Sequence, residues 1–426
     1  MKFTRLADWL QWLEAHHPSE IDLGLARIVQ VARRMNLLTS SAKVVTVAGT
    51  NGKGSCVAAV SALLQQAGWS VGVYTSPHLK SYNERIMLNG ANASDEQIMD
   101  AFQAIYDACQ SFSPAISLTY FEYGTLAALH VFSVNSLDAI VLEVGLGGRL
   151  DAVNIVDADV AVVTSIDIDH KDWLGDTREL IGVEKAGVYR AHKPAICADA
   201  QPPQSLIDFA VSIQADLQLV NHAFSYTIDE DRNLWSWRSD DCGFTDQPLP
   251  SLPLPSMAAA LQVMVNLNVS IDARTFECLA SLGVPGRFQL LTWRDRQLIF
   301  DVAHNPAATG LLAHKLELWR KHHSDARVYA VVAMMADKDR LESLRNLIDF
   351  VDYWTVAELP HIPRAASSQQ LNSDLRALGL ESLYSGEVTA CLNNIHGLTQ
   401  PQDLILIFGS FFTVAEGLSV VGYTQS

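Results

Sequence analysis

Paired cysteines, basic charge and long apolar runs are what this sequence has least of. Its six cysteines, Cys56, Cys109, Cys197, Cys242, Cys278 and Cys391, are scattered, and no two are spaced as C-x-x-C. That excludes a dithiol redox motif and a cysteine-held zinc site; the thiols read as the reduced ones of a cytoplasmic protein. Lys and Arg number 30 against 47 Asp and Glu, a formal net charge of −17. A nonspecific nucleic-acid binder carries the opposite balance. Anionic small molecules stay open, because local cations or metal ions can receive them. No stretch of about 18 apolar residues occurs, so no membrane-spanning helix is expected. Tandem repeats and a low-complexity tail are also missing.

What is present is globular. Hydrophobic residues make up 49% and charged residues 18% of 426 positions, enough for two domains that each bury a core. The opening "MKFTRLADWLQWLEAHH" places Leu6, Trp9, Leu10 and Leu13 at helical spacing, with Asp8 and Glu14 among them. This predicts a short amphipathic helix docked on a core rather than a signal peptide.

Apolar β-branched runs then alternate with helical segments. "KVVTVAG" (43–49), "SVGVYTS" (70–76), "DAIVLEVG" (138–145), "DVAVVTSID" (159–167) and "KPAICAD" (193–199) suit strands buried on both faces of a parallel sheet. Residues 55–67 and 95–110 read as helices. From about 200 to 250, aromatics and prolines at turn-like spacing predict short antiparallel strands, followed by helices near 256–268 and 272–281. "GVPGRFQLL" (283–291) reads as a domain junction. The α/β rhythm resumes at 297–304, 327–335, 352–359 and 403–410. The expectation is an α/β protein of two domains, 1–283 and 284–426, the second with a smaller parallel sheet.

"GTNGKGS" (49–55) is the chemically telling stretch. The usual phosphate loop is G-x-x-x-x-G-K-[ST]. Here Val47 stands five before Gly52, and Gly54 follows Lys53, so the hydroxyl waits until Ser55. The context is nevertheless that of a phosphate loop. A strand ends, a helix begins, and the N–H groups of the turn point at one place that the helix dipole makes favourable for anions. Lys53 adds a point charge. The competing reading is a tight strand-to-helix turn with an exposed lysine.

Other residues gather at neighbouring strand ends: Ser76 in "TSPHL", Glu143 in "LEVGLGGRLDAVN", and Asp167, Asp169 and His170 in "TSIDIDHKDWLG". Ligands of open α/β sheets bind beyond the carboxyl ends of the strands. Oxygen donors with one imidazole suit Mg²⁺ held partly by ATP phosphates. Taken singly, Ser76 is explained by a turn, Glu143 by a buried arginine and His170 by a loop. Their joint appearance favours the nucleotide site.

These residues resemble the folylpolyglutamate synthase family, within the Mur-ligase superfamily of ATP-dependent amide-forming ligases. "GTNGKGS" is similar to that family's shortened phosphate loop. "DLGL" (22–25), "YTSPHL" (74–79), "LTYFEYGT" (118–125), "LEVGLGGRLDAVN" (142–154), "DHKDWLG" (169–175), "EKAG" (184–187), "PGRFQ" (285–289), "DVAHNP" (301–306), "DKD" (337–339) and "GSFFTVAE" (409–416) extend the resemblance over nearly the whole chain. It looks most like the bacterial members that carry two activities.

The resemblance implies an N-terminal phosphate-loop ATPase domain and a Rossmann-like C-terminal domain. It implies that Gly49, Thr50, Asn51, Gly52, Lys53, Gly54 and Ser55 hold ATP. Ser76, Glu143 and His170 would ligate Mg²⁺, with two ions expected. Lys185 would be carbamylated into a further oxygen ligand, the alternative being a plain lysine paired with Glu184. Asp22, Leu23 and Gly24, with Thr119, Tyr120, Phe121 and Glu122 and with Leu150, Asp151 and Ala152, would shape a pterin-side pocket. Arg287 and Asp301 would hold ATP from the second domain, with His304 close by as a candidate base. One position departs from the family: Ser256 stands where an asparagine near the adenine is usual.

The implied reaction adds L-glutamate to dihydropteroate and to the γ-carboxylate of reduced folates through an acyl phosphate. Lys53, Glu143, His170, Lys185 and His304 would be its catalytic groups, in a cytoplasmic monomer that binds neither nucleic acid nor membrane. The rival readings are a Mur ligase acting on a cell-wall UDP precursor, a nucleotide switch that forms no amide, and a folate binder without catalysis.

Overall fold

The computed structural model describes residues 3–17, 22–240 and 242–423. The chain divides into two compact units between Leu282 and Gly283.

Among the described residues, the first unit holds an eight-stranded and a three-stranded sheet. The strands of the large sheet are β1 (Lys43–Ala48), β2 (Val71–Tyr74), β3 (Ile86–Leu88), β4 (Ala91–Asn92), β5 (Ala139–Glu143), β6 (Val160–Val163), β7 (Pro194–Cys197) and β8 (Asp216–Leu219). Their order is β4-β3-β2-β5-β1-β6-β7-β8. From β2 to β8 neighbours run parallel, whereas β3 and β4 are antiparallel additions at one edge. The expected parallel sheet forms from β2 to β8, and the β3–β4 hairpin extends it antiparallel. The β3–β4 hairpin escaped notice because its strands are too short to show a period.

The five expected strands of this unit all form, each trimmed by one to several residues at its ends. The helix expected over 95–110 spans Asp95–Gln110. Ser94 caps it, accepting from the Gln97 N–H while the Gln97 side chain accepts the Ser94 N–H, the reciprocal pairing that satisfies two orphan donors. The helix expected to begin near Ser55 begins at Lys53. The opening helix, Leu6–His16, buries Leu6, Trp9 and Leu13; Trp9 meets Phe102 at 5.8 Å between ring centroids.

The 200–250 region yields β9 (Phe224–Asp229), β10 (Leu234–Ser239) and β11 (Gly243–Pro248), antiparallel in the order β11-β10-β9. Trp235 and Trp237 of β10 are buried. Helices Leu254–Asn266 and Ala273–Ser281 follow.

The second unit has a six-stranded sheet among its described residues. It comprises β12 (Gln289–Trp293), β13 (Arg296–Asp301), β14 (Val328–Val332), β15 (Tyr353–Glu358), β16 (Ser382–Glu387) and β17 (Leu404–Phe408), in the order β12-β13-β17-β14-β15-β16. Only β12 pairs antiparallel there. It takes up the last three residues of the stretch read as a junction, and β16, whose sequence "SLYSGE" has no apolar run, went unread. The central strands β14 and β17 are buried along their whole length, as strands covered on both faces must be.

Phe408 is fully buried against Trp354. Phe408→Ala is expected to destabilise the second unit by about 3–5 kcal/mol, read as a lower urea midpoint for that unit's transition.

Candidate functional site

The glycine loop follows β1, which lies between β5 and β6 near the middle of the sheet. Gly49 has φ +149° and Gly52 φ +86°. A Cβ at Gly49 would sit 1.9 Å from Thr164 Oγ1, and one at Gly52 would sit 2.6 Å from Ser256 Oγ. Both glycines are thus required for close approach as well as for conformation.

The segment after β6 grips the loop from one side. Thr50 N–H donates to Ser165 O (2.8 Å), and Asn51 N–H donates to Ser165 Oγ (3.0 Å). Thr164 Oγ1 donates to Asn51 O (2.7 Å), and Thr50 Oγ1 accepts the Asp167 N–H (3.0 Å). Sequence reading singled out the acids of "TSIDIDH" and passed over Thr164 and Ser165. Two adjacent hydroxyls at a strand end were the available signal.

Lys53 opens the helix that follows, Lys53–Gln66, and its ammonium folds back onto Gly49 O (3.0 Å) and Thr50 O (3.2 Å). The first N–H groups of that helix have no intrahelical acceptor and face the loop. Ser55 is buried in its first turn.

Ser256 departs from the role expected of it. It is only 1% exposed, and its hydroxyl donates to Gly52 O (3.0 Å). That bond supports the loop from the start of the helix Leu254–Asn266.

Glu143 ends β5 beside Val47 of β1 and is 5% exposed. Ser76 N–H donates to its Oε2 (3.2 Å). The charge of Glu143 also contributes to the rise of the neighbouring Cys56 thiol to about 12, behind the larger effect of burial. The structure thus brings together Ser76, Glu143 and the first turn of the loop's helix.

Lys185 lies on the helix Arg178–Ala186 and is 3% exposed. Burial, and then the charge of Lys53, lower it from 10.5 to about 7, against the pull of Asp169 and Asp151. Glu184 does not pair with it. That carboxylate takes Arg149 instead, at 2.7 Å. The run 145–149 is pressed onto the end of this helix: Arg149 N–H donates to Glu184 O (2.7 Å), and a Cβ at Gly148 would lie 2.7 Å from the same oxygen.

His170 has φ +51° and is exposed, at the start of the short helix Lys171–Leu174, with its N–H held by Asp169 Oδ1 (2.8 Å). Among the described residues no three His, Cys, Asp or Glu side chains converge on a cation position. The expected ligand set draws on a serine and a lysine as well.

Two of the residues expected on the pterin side, Asp22 and Glu122, are joined by Arg27, which sequence reading missed. Arg27 donates to Asp22 Oδ2 (2.6 Å) and reaches Glu122 Oε1 (3.3 Å). Glu122 also accepts the Thr119 N–H (2.8 Å), closing a capping box on the helix Tyr120–Ser133. Leu23 and Gly24 lie half-buried beside Asp22. Phe121 covers Gly145, where a Cβ would meet its ring at 2.6 Å. Asp151 is 3% exposed; its oxygens accept the N–H groups of Leu146 (2.9 Å) and Val153 (3.0 Å), and burial raises it to about 6. These bonds shape the turn that carries Leu150 and Ala152.

In the second unit, Asp301 ends β13. Its oxygens accept the N–H groups of Phe288 and Ala303, each at 2.8 Å. Burial raises its carboxyl, and the charges of Arg287 and Lys315 oppose that rise. Arg287 lies over the Phe411 ring at 5.1 Å. His304 Nδ1 is 2.9 Å from Val302 O, a contact that fixes the ring. Lys315, mid-helix and without a motif around it, was invisible in the sequence.

Comparison with known proteins fits these geometries. Residues 286–411 match the family described as Mur ligase, glutamate ligase domain, which gives the class of the second unit. Over the whole length, the chain is 41% identical to the dihydrofolate synthase/folylpolyglutamate synthase of Escherichia coli (strain K12), covering 99% of this chain and 96% of that protein. It is similar to the solved structure of E. coli FolC in complex with DHPP and ADP, with a TM-score of 0.92, 40% identity and 98% of each chain covered. It is also similar to a bifunctional folylpolyglutamate synthase/dihydrofolate synthase with Mn, AMPPNP and L-glutamate bound, at a TM-score of 0.89 and 40% identity over 99% of this chain and 98% of that one. The chain belongs to the dihydrofolate synthase/folylpolyglutamate synthase family, with the two-domain α/β fold of the Mur ligases.

Two outcomes are expected for stability. Ser256→Ala removes one hydrogen bond to the loop and costs about 1 kcal/mol, measured by urea unfolding. Lys185 has a lowered folded value, so its contribution is present above pH 10.5 and is lost as pH falls through about 7. Stability of the uncarbamylated chain therefore gains up to about 1.4 kcal/mol per pH unit from this group between those limits. Lys185→Met abolishes that gain, as a comparison of unfolding curves at pH 7 and 9 would register.

Proposed function

We propose that this chain is an ATP-dependent ligase that joins L-glutamate to dihydropteroate and to the γ-carboxylate of reduced folates. It acts as a cytoplasmic monomer. The observation that carries the reading is a glycine loop at the carboxyl end of β1, with buried Glu143 at the end of the neighbouring β5 and buried Lys185 close enough to Lys53 to feel its charge. The complexes of the relatives, with ADP, AMPPNP, Mn, DHPP and L-glutamate, support it.

The residues fit a hard divalent cation. Glu143 is a buried carboxylate whose ionised form is costly without a counter-charge, and Ser76 lies against it. His170 and a carbamylated Lys185 would complete the protein's share, with two Mg²⁺ ions as the expected complement. The lowered basicity of Lys185 supports carbamylation, because only a neutral amine adds CO₂. When bound, the cation supplies charge neutralisation at the transferring phosphoryl group.

The chain's own groups would do the following. Gly49 to Ser55 would cradle the ATP phosphates, chiefly through the N–H groups at the helix start, since those of Thr50 and Asn51 are given to Ser165, and Lys53 would turn from its loop carbonyls to the transferred phosphoryl. The acceptor's carboxylate oxygen attacks the γ-phosphorus, releasing ADP and leaving an acyl phosphate. The glutamate amine, having lost a proton, attacks the acyl carbon, and collapse yields the amide and inorganic phosphate. His304 is the proposed receiver of that proton, and Arg287 and Asp301 the proposed ATP contacts of the second unit. Asp22, Leu23, Gly24, Thr119, Tyr120, Phe121 and Glu122, with Leu150, Asp151 and Ala152, would enclose the acceptor, with Arg27 as their brace.

The test measures phosphate release from ATP with Mg²⁺, with and without L-glutamate, on dihydropteroate and on tetrahydrofolate, followed by mass spectrometry of each acceptor. Glutamate-dependent release with a one-glutamate gain on both is expected. Release without a gain on either acceptor sinks the folate reading and returns attention to a Mur-type UDP precursor. Glu143→Ala is expected to lower the ligation rate by on the order of a hundredfold or more, while ATP binding, followed by calorimetry, weakens far less. Intact mass measured with and without bicarbonate tests Lys185 for the gain of one CO₂.

A further inference from the structure

We infer that Arg85 is a specificity-determining residue that binds the non-reacting α-carboxylate of a glutamylated acceptor, through the one guanidinium edge that Tyr82, Tyr120 and His78 leave open. The inference rests on the reading of the acceptor given above.

Arg85 closes the single turn Tyr82–Arg85 just before β3. Its carbonyl accepts the Thr75 N–H at 2.9 Å, so its backbone is tied to the end of β2, one residue from Ser76. The guanidinium is held on three sides. Nε donates to His78 Nδ1 at 2.8 Å. Its central carbon lies 5.4 Å from the Tyr82 ring centroid and 5.5 Å from that of Tyr120. Those two rings meet edge to face, 5.8 Å apart at 82°.

Most other half-buried arginines of this chain hold a carboxylate: Arg27 takes Asp22, Arg178 takes Asp199, Arg320 takes Asp352 and Arg340 takes Asp374. Arg85 has none among the described residues. The nearest in sequence, Glu84, is committed to the backbone N–H groups of Leu79, Lys80 and Ser81. A guanidinium fixed through Nε and both ring contacts, with its terminal nitrogens unassigned, is a fork preorganised for a planar anion.

Position identifies which anion. Tyr120 opens the helix whose first turn, with Asp22 and Arg27, forms the acceptor side of the site. In the sheet, β3 lies three strand spacings from β1, through β2 and β5, roughly 14 Å. The backbone of Arg85 is therefore far from the loop that would receive ATP phosphates. A carboxylate that does not react is what an acceptor offers there. Dihydropteroate has only the carboxylate that reacts, whereas a glutamylated folate carries an α-carboxylate in addition.

The experiment compares wild type, Arg85→Gln and Arg85→Lys for KM and kcat on dihydropteroate, on tetrahydrofolate, and on tetrahydrofolate amidated at the α-carboxyl. Arg85→Gln is expected to raise KM for tetrahydrofolate by about tenfold to a hundredfold, the loss of a charge-assisted bidentate contact. Its KM for dihydropteroate stays within about twofold. Wild type is expected to lose as much on the amidated substrate as the variant loses on tetrahydrofolate, and amidation costs the variant little more. Arg85→Lys falls between, keeping the charge without the fork. An equal rise on dihydropteroate and tetrahydrofolate overturns the inference, as does no rise on either. If Arg85→Gln does not fold, Arg85→Lys and the amidated substrate decide by the same comparison. Failure of wild type to ligate either acceptor overturns the proposed function itself, a result distinct from these.

Discussion

Everything in the first unit's site hangs on how closely the loop after β1 lies against the segment after β6. A side chain at Gly49 would overlap Thr164, and one at Gly52 would overlap Ser256. With glycine at both places, the hydroxyls of Thr164, Ser165 and Ser256 reach the loop's own carbonyls and N–H groups. The loop is thereby built from outside. Its conformation is set by three hydroxyls from two distant parts of the chain, which frees the N–H groups at the helix start to face a ligand. The missing first glycine of the usual phosphate loop has no penalty here, because the β6 segment supplies the support that a longer loop would give itself.

Charge is handled in the same economical way. Glu143 and Lys185 are both nearly inaccessible, an arrangement that costs several kcal/mol per ion unless each meets a partner. Arg149 withdraws Glu184 from Lys185, and Lys53 pushes its basicity down further. The lysine is thus placed where the protonated form is weakest. Asp151 gives its oxygens to the N–H groups of Leu146 and Val153 and so holds a nearby turn, while its charge works against the lowering of Lys185.

The fold was legible wherever a strand is buried on both faces, because such strands are unbroken apolar runs; β1, β5, β14 and β17 are of this kind. It was illegible at edges. β3, β4 and β16 are short or polar, and their pairing is decided by neighbours rather than by pattern. The candidate site divides similarly. Gly49, Lys53, Ser76 and Glu143 stand in compact motifs at strand ends. Arg27 and Lys315 lie in ordinary helical sequence, and only the fold of each unit carries the first to Asp22 and Glu122 and the second to Asp301. Ser256 was noticed for the right reason, its departure from the family, yet its contact is with Gly52 and follows from packing that no motif encodes.

Cys56 shows what burial does to a reactive group in a favourable field. It stands in the first turn of the helix after the glycine loop, where a helix dipole ordinarily encourages thiolate formation. Burial and the adjacent Glu143 instead hold its thiol near 12, and Cys197 and Cys391 are held near 12 as well, chiefly by burial. At neutral pH these sulfurs are held as thiols, the weaker nucleophile. Packing thus keeps the sulfur beside the glycine loop protonated, and the pull of the helix start on an anion is left for groups that arrive from outside.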